Sequence, residues 1–117
     1  MSKVLVVGAS SFIGKHLIRK LIDNGDHVTG LVRKRPENPE KWLKNVKIVS
    51  GDITEKRSLA GICKDIEIVY HLVAKVHDFS NKGNTTDEHF SVNVQGTRNI
   101  LDECANSGIK HFVYFSS

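Results

Sequence analysis

The chain is predicted to be an α/β protein built on a doubly wound parallel sheet of about five strands. Three observations predict it. Short β-branched runs alternate with amphipathic helical patterns along the chain. The run Ile66 to Leu72 is apolar on both faces, as a strand covered on two sides must be. A turn holding Gly8 and Gly14 hands the first strand over to the first helix.

Each element has a local reason. Lys3 to Val7 is the first strand and ends in the glycine turn. Ile13, Leu17, Ile18, Leu21 and Ile22 recur at helical spacing, and Asn24-Gly25 stops that helix because glycine takes the left-handed conformation without a Cβ clash. His27 to Val32 is the second strand. Arg33 to Glu40, with Pro36 and Pro39, is a loop, Lys41 to Lys44 a short helical turn, and Val46 to Val49 the third strand. Thr54 is expected to cap a short helix from Glu55 to about Cys63, with Arg57 where a capping box would have Glu. Ile66 to Leu72 is the fourth strand, and Lys75 to Asn84 is a polar loop. A long helix is predicted from about Thr86 to Asn106, with Phe90, Val94, Leu101, Cys104 and Ala105 on its buried face. Ser107-Gly108 ends it, and Ile109 to Ser116 is the fifth strand. Right-handed crossovers then give the doubly wound sheet.

Composition narrows the function classes. The 117 residues carry 17 Lys+Arg against 13 Asp+Glu, a net charge of +4, with 39% hydrophobic residues. That length fits one domain, and the balance is globular. The lysines are scattered, with one dense cluster at Arg33-Lys34-Arg35 and no basic stripe interleaved with stacking aromatics, so no nucleic-acid partner is expected. No apolar run approaches the ~18 residues of a membrane span. The amino terminus lacks the longer apolar stretch of a secretory signal, so a cytoplasmic protein without a membrane partner is expected. Cys63 and Cys104 are far apart with no C-x-x-C spacing, which argues against a disulfide framework or a zinc site, and no metal is expected.

The glycine turn carries the chemistry. It reads Gly8-Ala9-Ser10-Ser11-Phe12-Ile13-Gly14. Gly8 permits a sharp turn, the unpaired amides at the helix start favour a pyrophosphate, and Gly14 lets the helix lie close to the sheet. The spacing is neither G-x-G-x-x-G nor a Walker loop, and two glycines in such a turn also serve purely structural ends.

Four more segments extend the pattern. They are Gly51-Asp52-Ile53-Thr54, His71-Leu72-Val73-Ala74, Asn93-Val94-Gln95-Gly96-Thr97-Arg98-Asn99 and Phe112-Val113-Tyr114-Phe115-Ser116-Ser117. Together with the glycine turn, their order and spacing resemble the extended short-chain dehydrogenases/reductases, the NAD-dependent epimerase/dehydratase family, across essentially the whole chain. Ser11 stands where that family has its middle glycine, Val7 where it has threonine, and Val73 where it has alanine. A serine at that place either crowds a phosphate or donates its hydroxyl to one.

The resemblance implies a Rossmann-like dinucleotide site. Gly8, Ser10, Ser11, Phe12 and Ile13 would surround the pyrophosphate, with Gly14 behind them. Asp52 and Ile53 would hold the adenine, and Leu72, Val73 and Ala74 would line the adenosine and ribose side. Asn93 would lie near the nicotinamide half. Each has a structural reading beside the functional one: Asp52 as the cap of its own turn, Asn93 as a buried helix amide, His71 as a packed strand histidine. Cofactor choice is made at the end of the second strand, where an acid selects NAD and an arginine accommodates a 2′-phosphate. Leu31-Val32-Arg33-Lys34-Arg35 has no acid before Glu37, so NADP is expected over NAD. Arg33 is placed on the 2′-phosphate with Lys34 as second candidate, a solvated loop arginine being the other reading.

Ser117 aligns with the family's catalytic Ser/Thr. The family's Tyr-x-x-x-Lys pair is not found: Tyr70 is followed by Ala74, and Tyr114 stands too near the last residue. Residues 1–117 therefore read as the incomplete N-terminal portion of a dinucleotide-binding domain, catalytically inert by itself. The complete protein would be an epimerase, dehydratase or reductase acting on a nucleotide sugar or small carbonyl. A non-catalytic NADP-binding sensor on the same scaffold and a flavodoxin-like signalling domain are the alternatives. The apolar fifth strand is expected to offer an edge for homo-oligomer formation.

Overall fold

The computed structural model describes residues 2–34, 45–72 and 94–115. The strands are β1 (Lys3–Val7), β2 (His27–Val32), β3 (Val46–Ser50), β4 (Ile68–His71) and β5 (His111–Tyr114). The helices are α1 (Phe12–Asp23) and α2 (Gly96–Ser107). All pairings are parallel and the strand order is β3-β2-β1-β4-β5, the doubly wound sheet expected. The chain winds outward from β1 to β3, returns, and continues through β4 to β5 on the other side. The turn of direction falls between β1 and β4, where open α/β sheets hold their ligands.

Period-2 alternation sorts β1 between two cores. Val4 and Val6 join Ala9, Ile18, Leu21, Val28, Val32 and Val46 on the α1 face. Leu5 and Val7 join Leu31, Ile53, Leu59, Cys63, Val69, Ile100 and Cys104 on the α2 face. Among the described residues a helix packs on each face, which is why β1 reads as an unbroken apolar run.

The α1 stop is the one the sequence signals. Gly25 has φ +87°, its amide donates to Ile22 O, and the Asp26 amide donates to Leu21 O, a Schellman ending. Ile13, expected on the buried face of α1, is exposed, while Ile18 and Leu21 are buried.

Two expectations are corrected. The helix from Glu55 to Cys63 is a four-residue 3₁₀ turn, Lys56–Leu59, followed by further turns. Thr54 is not its cap: its amide and hydroxyl both bond to Asp52 Oδ1, at 2.9 and 2.7 Å, and so fold the chain back before a helix can start. On α2, the buried positions are Gly96, Ile100 and Cys104, as expected for Cys104, whereas Leu101 is 44% exposed and Ala105 is exposed; Val94, which precedes the helix, is 41% exposed. Gly96 decides the face: a Cβ there would lie 2.8 Å from Ile53 Cγ1, so the bare backbone seats on Ile53. Counting apolar side chains cannot register that contact. Phe90, residues 75–84 and the turn expected at Lys41–Lys44 lie outside the described residues.

β4 and β5 are shorter at both ends than the runs that suggested them. β5 closes one edge of the described sheet, and Val113, Tyr114 and Phe115 are exposed there.

Candidate functional site

The carboxyl ends of β1, β2, β3 and β4 lie side by side, with Val7 opposite both Leu31 and His71, and Val32 opposite Ser50. The glycine turn, Arg33-Lys34, Gly51-Asp52 and Leu72 therefore emerge along one rim.

Gly8 turns the chain at φ +89°, a conformation glycine adopts without strain. Its amide and that of Ala9 both donate to Leu31 O, at 3.2 and 3.3 Å, which ties the turn to β2. Ser11 is the N-cap of α1. Its Oγ accepts from the Gly14 amide at 3.0 Å and donates to Gly8 O at 2.9 Å. In this arrangement the hydroxyl bonds the backbone of its own turn. It closes the turn. The amides of Ser10, Phe12 and Ile13 have no partner among the described residues, and Phe12 and Ile13 are 78% and 55% exposed. Gly14 is buried against the turn: a Cβ would meet the Gly8 carbonyl oxygen and approach Ala9 O to 2.9 Å.

Asp52 begins the segment after β3. Its Oδ1 takes the two Thr54 bonds, and its Oδ2 lies 3.7 Å from Arg33 Nε. The Thr54 hydroxyl, then the Thr54 amide, hold the carboxyl below the usual carboxylate range; burial opposes them and the Arg33 charge adds to them. Asp52 is therefore an anion that caps its own turn and keeps its second oxygen toward Arg33. Arg33 is 85% exposed and Lys34 is exposed on the same rim. Ile53 is buried: its side chain packs on Gly96 and its carbonyl accepts from Asn99 Nδ2 at 2.7 Å. The Ile53 amide has no partner among the described residues. Leu72 is half-buried and its amide donates to Val7 O at 2.9 Å. Val73, Ala74, Asn93 and Ser117 lie outside the described residues.

His71 is the packed histidine of the structural reading. It is fully buried, stacked between Phe112 and Tyr114, with Nε2 3.1 Å from Thr97 Oγ1 and Nδ1 unpartnered among the described residues. Burial pushes its pKa down to about 4, so the ring is neutral. Gly96, Thr97 and Asn99 thus anchor α2 to Ile53 and His71. Sequence reasoning noted their segment but assigned a role only to Asn93.

A separate cleft of about 440 Å³ opens at the opposite ends of the strands, lined by residues that include Lys3, His27, Lys47 and Lys64. It lies away from the rim that gathers the glycine turn and Asp52. Among the described residues, no three His, Cys, Asp or Glu side chains group as metal ligands, and no helix is long and apolar enough to cross a membrane.

Comparison with known proteins gives a single answer. The description "NAD dependent epimerase/dehydratase family" belongs to a family model that matches residues 4–117. The chain is 32% identical over 124 residues to the 3 beta-hydroxysteroid dehydrogenase/Delta 5-->4-isomerase of Mycobacterium tuberculosis, covering all of this chain and 32% of that protein. Among solved structures, a short-chain dehydrogenase/reductase superfamily protein from Agrobacterium tumefaciens with bound NAD is 28% identical at a TM-score of 0.79, over 98% of this chain and 32% of its own. Pen from Bacillus thuringiensis shares the fold at a TM-score of 0.84 and 22% identity, over 97% of this chain and 36% of its own. The chain spans about a third of the length of these curated relatives.

Proposed function

The chain belongs to the NAD dependent epimerase/dehydratase family, and from that premise we propose that residues 1–117 are the N-terminal portion of a dinucleotide-binding domain that takes NADP in preference to NAD. The observation that carries the reading is the glycine turn. Three amides at the head of α1, those of Ser10, Phe12 and Ile13, stand without partners among the described residues, at the point where the strand order reverses. They suit a pyrophosphate, because unpaired helix-start amides and the helix dipole both favour an anion. Gly8, Ser11 and Gly14 hold that turn in shape.

The rest of the rim fits the remaining parts of the cofactor. Asp52, kept ionised, offers Oδ2 to an exocyclic amine of the adenine, with the Ile53 amide beside it. Leu72 would line the ribose side, with Val73 and Ala74 assigned there by the family resemblance alone. Arg33, with Lys34 as a second cation, would meet the 2′-phosphate. The same resemblance assigns Asn93 to the nicotinamide half. The nicotinamide, when bound, supplies hydride acceptance and donation.

In the complete protein this chemistry is read as hydride transfer at a secondary alcohol or its ketone, on a nucleotide sugar or a small carbonyl compound. Ser117 would there hold the reacting oxygen. A steroid alcohol is the second reading, favoured by the hydroxysteroid dehydrogenase named above, which is 32% identical. The test is titration of the purified protein with NADPH and NADH, followed by nicotinamide fluorescence. Saturable binding that is lost in Gly14→Val supports the reading. Absence of binding by either dinucleotide to folded protein refutes it.

A further inference from the structure

Cys63 and Cys104 stand 41 residues apart in the chain, yet their Sγ atoms lie 3.8 Å from each other inside the α2-face core. Both are free thiols, and neither belongs to the dinucleotide rim. We propose that Cys63 and Cys104 are a reversible disulfide site, closed by an oxidant of the peroxide class, that staples the turns between the 3₁₀ segment and β4 to helix α2.

Position assigns the two sulfurs different parts. Cys63 is wholly inaccessible, whereas Cys104 keeps 7% exposure, so an oxidant meets Cys104 first. Either thiol can donate in the contact between them; that contact lowers the Cys104 thiol and, with burial, raises the Cys63 thiol. The chemistry balances in two steps. The Cys104 sulfur attacks one peroxide oxygen, the O–O bond breaks, and a sulfenic acid and one water result. The Cys63 sulfur then attacks that sulfenic sulfur, the S–O bond breaks, the Cys63 proton leaves with the hydroxide as a second water, and the S–S bond forms. Each sulfur is oxidised by one electron and the peroxide is reduced to two waters.

The geometry allows closure. A disulfide needs its sulfurs about 2.05 Å apart, so they must approach by roughly 1.8 Å. Cys104 is fixed on a regular helix, so the movement falls to the Cys63 side. There the backbone runs through turns closed by single bonds, Ile62 N to Leu59 O, Lys64 N to Gly61 O and Ile66 N to Cys63 O. Asp65 holds φ +64° in the same stretch, a non-glycine residue in the left-handed region. Such a segment shifts more readily than a helix or a paired strand.

The experiment treats reduced, reductant-free protein with hydrogen peroxide under native conditions and maps unreduced peptides by mass spectrometry. The expected product is a monomer lighter by two hydrogen atoms, with Cys63 and Cys104 peptides joined and released again by dithiothreitol. Its thermal midpoint should rise by several degrees, because the bond closes a long loop in the unfolded chain. Cys63→Ser and Cys104→Ser should each lose the link and the rise. Two thiols still open to alkylation after oxidation, intermolecular dimers alone, or separate sulfinic acids would overturn the proposal. A lowered midpoint in the linked form would overturn the staple. The wild-type peptide map decides even where a serine variant fails to fold.

Discussion

Replacing Arg33 with alanine should abolish the preference for NADP over NAD while leaving NAD affinity nearly unchanged. The size of the effect follows from what Arg33 gives up and what it gains. In the structure its Nε stands 3.7 Å from Asp52 Oδ2 and the side chain is 85% exposed. An ion pair that long and that wet is worth about 0.5 kcal/mol or less. Charge-assisted hydrogen bonds to a 2′-phosphate are worth roughly 1.5–3 kcal/mol. The difference, about 1–2.5 kcal/mol, is roughly a five- to seventyfold preference for NADP in the native protein. Parallel titrations of NADPH and NADH at constant ionic strength, on native protein and on Arg33→Ala, measure it. Raising the salt should shrink the preference, since the contact is exposed. Equal affinities in the native protein, or a preference that survives Arg33→Ala, would refute the assignment of Arg33 to the phosphate.

Other outcomes follow from the same contacts. His71 titrates at about 4 when folded, against an ordinary 6.5. As pH falls the unfolded chain therefore takes up the proton first, so its stability contribution is complete above about 6.5 and is lost toward about 4, by at most roughly 3 kcal/mol. Urea unfolding at a series of pH values should show that slope, and His71→Leu should flatten it; a slope unchanged by the substitution speaks against His71 as its source. Gly14→Ala drives a Cβ into backbone carbonyls and should cost about 1–3 kcal/mol, Gly14→Val more, while Ser11→Ala should cost about 1 kcal/mol and Ser11→Gly only a few tenths, all read by denaturant unfolding. A Ser11→Gly variant with weakened NADPH binding would show that the hydroxyl does more than cap. Gly96→Ala must displace Ile53, whose Cγ1 would lie 2.8 Å from the new Cβ, and should weaken both stability and adenosine binding. Sizing over a range of concentrations should show the chain associating through β5, and a monomer at every concentration would refute the edge as a pairing site.

Much of this protein is legible in the order of its residues. Strand positions, the first helix from Ile13 to its Asn24-Gly25 stop and the glycine turn are local matters, decided by side-chain period and by which residues tolerate a positive φ, whereas the Ser11 cap was not read from the sequence. The family resemblance rested on the same local segments. What only the tertiary structure decided involves residues distant in sequence. Arg33 meets Asp52 because β2 and β3 are neighbours. His71 is held by Thr97 and stacked on Phe112 and Tyr114 because β4 lies beside β5 under α2. The face that α2 buries is set by a glycine seated on Ile53, a contact that has no side chain to count. Cys63 and Cys104, which spacing alone kept apart, are brought to 3.8 Å by the same packing. Local periodicity specifies which elements form; the neighbours each element acquires are settled by burial of the whole sheet between its helices, and a charge, a ring nitrogen or a thiol takes its chemistry from those neighbours.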